Sequence, residues 1–433
     1  MSMRAYLAIA LWIAAVAAAV NLFSESSATV TDYRDFGAYY VQSLAARKGI
    51  DPYKGDVETV DTEAGRPLSD LDTGTNHFND TPTWILLFEP LTFPGIETAY
   101  WTWQALNILA LAGALFLLIR ELGPPGTEGW GVAALMVLYP PIALSISFAR
   151  GEMVLLLLFV LALIAMRRRW DAALGITLAI AALLRAYPLG MLGYLIARRN
   201  WRACAYMLGA CIAGGALTLA VLGTGPIAGF AGMTTLQPGK PVLGLLAGLL
   251  RHPANLNLGW FVRFVVHHSI GPRPWASGAG LVVELIVAAV SFAVTARLAD
   301  DPYGCGFSLW IALITLLSPV AWPHFLACLV PVYVGIAAAS RDGAAPRRVV
   351  YAASASYLVA FVMGGPTVGF IAEGLHRLLA GHAHIWHMAP ETIFASLALA
   401  YVAALLMTAS EAGGVQGEDR HVREEEALER AAL

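Results

Sequence analysis

Three short stretches carry residues that could do chemistry. The first runs Thr31-Asp32-Tyr33-Arg34-Asp35-Phe36-Gly37-Ala38-Tyr39-Tyr40 and continues to Gly49-Ile50-Asp51-Pro52-Tyr53. Asp35, Tyr39 and Gln42 fall on one helical face, and a carboxylate there can act as a general base. The second is Arg150-Gly151-Glu152 and the third Arg185-Ala186-Tyr187-Pro188. Each supplies a guanidinium, a permanent cation suited to holding an anion. Plainer roles exist for all of them. Asp32 or Asp35 can cap a helix, Arg150 can pair with Glu152, and Arg185 can face a protein carboxylate.

The elements that must position these groups are apolar. Of 433 residues, 58% are hydrophobic and only 13% charged, and mean hydropathy is +0.65. Soluble domains carry about a quarter charged residues, so this composition implies an all-α polytopic membrane protein. Apolar stretches at 5–23, 98–119, 130–149, 152–166, 171–186, 187–197, 203–222, 279–297, 305–320, 325–340, 348–363 and 391–409 predict about twelve transmembrane helices. Residues 5–23 are expected to stay as the first of these rather than to be removed as a signal peptide. The net charge of -3 gives no reason to expect a nucleic-acid partner. Cys204, Cys211, Cys305 and Cys328 lie in or beside apolar runs and read as small packing residues.

Orientation follows from the basic loops. Arg120, Arg167-Arg168-Arg169, Arg198 with Arg199 and Arg202, Arg297, and Arg341 with Arg347 and Arg348 fall on alternate connections. Those loops and both termini are therefore expected in the cytoplasm. Residues 1–410 read as one transmembrane domain and 411–433 as a charged cytoplasmic tail. The opposite face carries long segments at 24–97, 223–278 and 364–390. Arg150 and Arg185 sit in short turns on that same outer face, against the charge rule. Ionisable groups at membrane depth are functional by default, and their coincidence with Asp35 on one face marks the site. Residues 31–53 predict a short amphipathic helix lying on the bilayer surface, with Phe36, Tyr40 and Leu44 at i, i+4, i+8. Thr81 to Leu91 is apolar but too short to span.

These motifs, in this order, resemble glycosyltransferase family 87, membrane glycosyltransferases of the C type that use polyprenyl-phosphate sugars. Asp35 to Tyr40 followed by Gly49-Ile50-Asp51-Pro52-Tyr53 is similar to the family's opening Asp…Tyr-Tyr…Gly-x-x-Pro-Tyr. Thr81-Pro82-Thr83-Trp84 with Glu89-Pro90-Leu91 resembles its Pro-Pro…Pro-Leu segment. Gly151-Glu152-Met153-Val154 stands where the family has Gly-Gln-x-Asn. Arg185-Ala186-Tyr187-Pro188 matches Lys-x-x-Pro with the cation kept. Asn255-Leu256-Asn257-Leu258, with Arg263 following, resembles Asn-Gln-Ser-Leu. Ser318-Pro319-Val320-Ala321-Trp322-Pro323-His324-Phe325 is similar to Ser-Pro-Ile-Ser-Trp-x-His-His, keeping the first histidine only.

The resemblance implies inverting transfer of a monosaccharide, mannose first, from a polyprenyl phosphate to a hydroxyl of a glycan or glycolipid. It places this at the outer face of the cytoplasmic membrane. Asp35 becomes the base. His324, with Arg185 and Arg150, faces the donor phosphate. Tyr39, Tyr40, Glu152, Asn255, Asn257, Arg263 and Trp322 become substrate-binding residues. No cofactor is expected beyond the donor substrate, and no metal. Asp70-Leu71-Asp72, the histidines His382, His384 and His387, and the pair His267-His268 have metal-ligand types, but turn and loop chemistry accounts for them more simply. Lys240 and Arg251 could meet an anionic acceptor or lipid headgroups. Arabinofuranosyl transfer is the alternative within the family, and a lipid or sugar transporter is the alternative outside it.

Overall fold

The computed structural model describes residues 12, 34–53, 80–123, 126–235, 257–271, 275–318, 321–364 and 394–412, and the described residues are helical with no strand. In chain order the helices are α1 (Arg34–Arg47), α2 (Pro82–Phe88), α3 (Ile96–Leu122), α4 (Thr127–Val137), α5 (Pro140–Ser147), α6 (Glu152–Arg167) and α7 (Asp171–Leu184). There follow α8 (Met191–Ala197), α9 (Trp201–Leu222), α10 (Thr224–Thr235), α11 (Leu258–Ile270), α12 (Ala276–Thr295), α13 (Cys305–Leu317), α14 (Val330–Arg341) and α15 (Arg347–Gly364). The last is α16 (Phe394–Ala412). Tight 3₁₀ turns precede α8 at Tyr187–Gly190 and α14 at Pro323–Leu329.

Among the described residues five helices are long and apolar enough to cross a membrane: α3, α9, the stretch Gly278–Thr295 of α12, Pro323–Arg341, and α16. Glu128–Val137 and Pro140–Ser147 add a sixth if taken as one span bent by 51°. The bend has a local cause, because Pro140 and Pro141 donate no backbone N–H to the helix before them. Others of the expected spans appear as shorter apolar helices, among them α7 and α13.

The interior is built around α6 and α13. Met153, Leu155, Leu156, Phe159, Val160, Ala162 and Leu163 of α6 are fully enclosed, as are Phe307, Leu309, Ile311 and Ala312 of α13. The spanning windows of α9 and α12 are only 11% and 17% buried within the protein. Their Ile212, Leu217, Leu281, Leu285 and Ile286 point outward, which suits contact with lipid.

Helix α6 separates two chemically different ends. It begins at Glu152 and finishes about 24 Å away at Arg167. At the Arg167 end Glu121 pairs with Arg167 and Arg168. Arg169 meets Asp300, and Arg341 donates to the Gly123 carbonyl. The basic loops that alternate along the sequence thus gather on one side. The turns bearing Arg150 and Arg185 lie at the other.

Helix α1 differs from the surface helix expected from its periodicity. Every residue from Phe36 to Ala45 is buried. Phe36 packs edge-on against Phe88 and Tyr100, and Tyr39 against Trp84 and Phe88. Ser43 donates to the Ile85 carbonyl, and Arg47 to the Thr92 carbonyl. The reason is compositional: Ala38, Val41 and Ala45 make the side opposite Phe36, Tyr39 and Tyr40 small and apolar as well, so the helix can be enclosed on several sides.

Candidate active site

The site is assembled where α1, α2 and the ends of α5, α7 and α13 converge. Thr81 makes the first link. Its hydroxyl accepts from Trp84 N as the cap of α2 and donates to Leu183 O at 2.6 Å. One side chain thereby fastens the start of α2 to the last carbonyls of α7. Asp80, the preceding residue, is carried to where α7 ends and Arg185 begins. Arg185 Nη1 lies 2.6 Å from Asp80 Oδ1, and its Nη2 donates to Tyr39 Oη at 2.7 Å. The guanidinium also lies 5.4 Å from the Trp84 ring centre, within cation–π range. Tyr53 donates its hydroxyl to Asp80 O at 2.6 Å. The Gly49–Tyr53 segment therefore braces the backbone that presents Asp80.

The Arg150 turn is set by how α5 stops. Ala149 N bonds to Ile146 O and Arg150 N to Ser145 O, with Ala149 at φ 52. That is a Schellman end with alanine at the left-handed position glycine usually fills. Trp103 Nε1 donates to Ala149 O at 2.8 Å, holding the turn from α3. Gly151 follows because a Cβ there would run into Cη2 of Trp84. Arg150 Nη1 reaches Tyr39 Oη at 3.3 Å. The Tyr39 oxygen thus accepts from two guanidinium groups, while burial holds the phenol above its ordinary range and so protonated.

Glu152 opens α6, where the helix N-terminus favours a carboxylate. It is fully buried. Ser145 Oγ lies 3.4 Å from its Oε2, Arg185 Nη2 4.0 Å from Oε1, and His324 Nε2 3.6 Å from the same Oε1. His324 is buried on the turn after α13, its ring parallel to Trp322 at 6.5 Å between centres. Next to it Phe325 stacks on Tyr187 at 5.1 Å. Asn257, just before α11, donates its amide to Ser318 O at 3.1 Å and Leu317 O at 3.4 Å. That anchors the start of the histidine turn.

Of the residues expected to form a site, the structure joins Tyr39, Arg150, Glu152, Arg185 and His324, with Trp322 beside them. Asp35 stands on the first turn of α1, about 6 Å along the axis before Tyr39; its side chain lies outside the described residues. Tyr40 departs from the group, since its hydroxyl donates to Pro94 O at 3.0 Å on the other flank of α1. Asn257 spends its amide N–H groups on the turn just described. Arg263 is half-buried on α11. Asn255, Asp32, Asp70, Asp72, Lys240, Arg251, His382, His384 and His387 lie outside the described residues, as do the side chains of His267 and His268. Among the described residues no group of three or more His, Cys, Asp or Glu could hold a metal. Asp80 was not anticipated. Its one local signal is its place directly before the Thr81-Pro82 helix start, which reads as capping and says nothing of Arg185.

The buried cluster thus gathers two guanidinium groups and an imidazole with two carboxylates, Asp80 and Glu152, around the Tyr39 hydroxyl. The model for glycosyltransferase family 87 matches residues 78–319, more than half of the chain. The chain belongs to glycosyltransferase family 87. It is accordingly a glycosyltransferase, and its apolar helices make it a membrane one. Among curated proteins none matches it. The family 87 match starts two residues before Asp80 and ends before His324. Tyr39 and His324, which flank it in sequence, pack onto the matched segment in space.

Proposed function

We propose that this family 87 enzyme transfers a monosaccharide, with inversion, from a polyprenyl phosphate to a hydroxyl of a glycan or glycolipid. The reaction takes place at the outer face of the cytoplasmic membrane, and both termini lie inside. The observation that carries the reading is the meeting of Arg150, Arg185 and His324 around Glu152 and Tyr39, at the end of α6 away from the basic loops. Leaving-group phosphate needs cations and donors held in place before the reaction, and these are held by buried partners. Asp35, one turn before Tyr39, takes the proton of the acceptor hydroxyl as the anomeric carbon becomes oxocarbenium-like. Inversion follows from displacement with acceptor and leaving group on opposite faces of the sugar. Trp322 and Tyr39 line the sugar or the first prenyl unit. The donor itself supplies the chemistry, without a metal. Mannose is the first sugar to test.

The experiment is transfer by the purified enzyme in liposomes, with synthetic polyprenyl-phosphate mannose, a panel of glycolipid acceptors and no energy source. Sugar transfer that is lost in Asp35→Asn supports the reading. Movement of the lipid-linked sugar across the bilayer without transfer would overturn it in favour of transport.

A further inference from the structure

The charge count of the buried cluster carries a consequence for the pH dependence of donor binding. Its described side chains include two permanent cations, Arg150 and Arg185, and two carboxylates, Asp80 and Glu152. With a neutral imidazole at His324 these sum to zero. Asp80 is spent on Arg185 at 2.6 Å. Glu152 stands where the family resemblance has a glutamine, so this chain carries one more negative charge at the position between Arg185 and His324. A buried and balanced group cannot accept another anion without leaving one charge uncompensated away from water, which disfavours binding. The imidazole 3.6 Å from Glu152 is the group placed to balance it.

Resting on the phosphate site proposed above, we propose that the donor phosphate enters together with one proton, which is held by the His324–Glu152 pair. Donor affinity then falls as pH rises. The pair titrates as a unit, so the proton belongs to both residues. Other groups near it come from each neighbouring element. Arg150 stands on the turn before α6, and Arg185 with Tyr187 follows α7. Asp80 and Tyr39 lie behind Arg185, and Cys328 is on the histidine turn itself. Helix α5 contains no titratable residue, and α13 has only Cys305 at its far end. Tyr187 and Cys328 are engaged in hydrogen bonds, the hydroxyl and thiol with each other and the thiol with Glu152 O, and the arginines remain charged. Among the described side chains the His324–Glu152 pair is left as the proton acceptor; Asp35 on α1, whose side chain lies outside them, would give a pH slope that Glu152→Gln leaves unchanged.

The test uses full-length protein in nanodiscs and the methyl ester of farnesyl phosphate, a phosphodiester carrying one negative charge at every pH used. Its Kd is measured from about pH 6 to about pH 8.5, above the ordinary histidine value of about 6.5. Wild type is expected to lose affinity by up to about tenfold per pH unit. Glu152→Gln should bind with little pH dependence, and more tightly than wild type at the alkaline end. Calorimetry of the wild type in buffers of different ionisation enthalpy counts the protons directly and needs no variant; about one per probe is expected. Binding with no pH dependence and no proton uptake overturns this inference alone, and so does an unchanged slope in Glu152→Gln. Failure of wild type to bind the probe at any pH overturns it together with the phosphate site beneath it.

Discussion

Arg185 and Asp80, 105 residues apart in the chain, form a buried ion pair at 2.6 Å. The cation that opposes the inside-positive pattern is therefore compensated within the protein, and Tyr39 orients its other arm. Its partner sits on the segment that caps α2, so the pair also joins α1, α2 and α7.

Arg185→Gln leaves Asp80 buried without its cation. Breaking such a pair costs about 3–5 kcal/mol, so the thermal midpoint of the detergent-solubilised enzyme should fall clearly. The double variant with Asp80→Asn should recover part of that loss. Arg185→Lys should keep the charge, lose the two-armed geometry and retain some transfer. If Arg185→Gln melts like wild type yet no longer transfers sugar, Arg185 serves the donor rather than the fold.

Asp35→Asn removes a proton acceptor with little change of shape. Turnover should fall by about a hundredfold or more while expression and donor binding hold. Asp32→Asn should be far milder. Near-normal turnover of Asp35→Asn with synthetic donor would end the assignment of the base.

His324→Ala should raise the KM for donor much more than it changes melting temperature. Among the described residues the imidazole Nε2 has no hydrogen-bond partner, and Glu152 is 3.6 Å away. A variant with unaltered donor KM would place the phosphate elsewhere.

Gly151→Ala should be disproportionately harmful for so small a change. The added methyl meets the Trp84 ring, which is itself enclosed by Tyr39, Phe88 and Trp103. Overpacking of this kind costs about 1–3 kcal/mol, and the shift of Trp84 should also disturb Arg185 above it. Thermal denaturation alongside transfer assays checks both effects. Normal values of each would show that Trp84 can yield.

Much was legible from order and type of residue alone. Composition declared a helical membrane protein, because so few charges cannot clothe a soluble chain of this length. The positions of Arg150 and Arg185 against the charge pattern marked one end of the helices, since a cation away from water must be matched by something. Motif order indicated the family that the match over residues 78–319 bears out.

Other features depended on tertiary contacts that no spacing encodes. Helical periodicity at Phe36, Tyr40 and Leu44 showed one apolar face of α1, but whether the remaining faces meet lipid, water or protein depends on where α2 and α3 pack. Tyr39 and Tyr40 are adjacent and chemically alike. Packing sends one hydroxyl to the arginines and the other to the Pro94 carbonyl. Asp80 reads as one more loop aspartate until the Thr81 cap brings it to the end of α7. A buried charge takes the partner that three-dimensional packing leaves within reach, and sequence separation has no bearing on that distance.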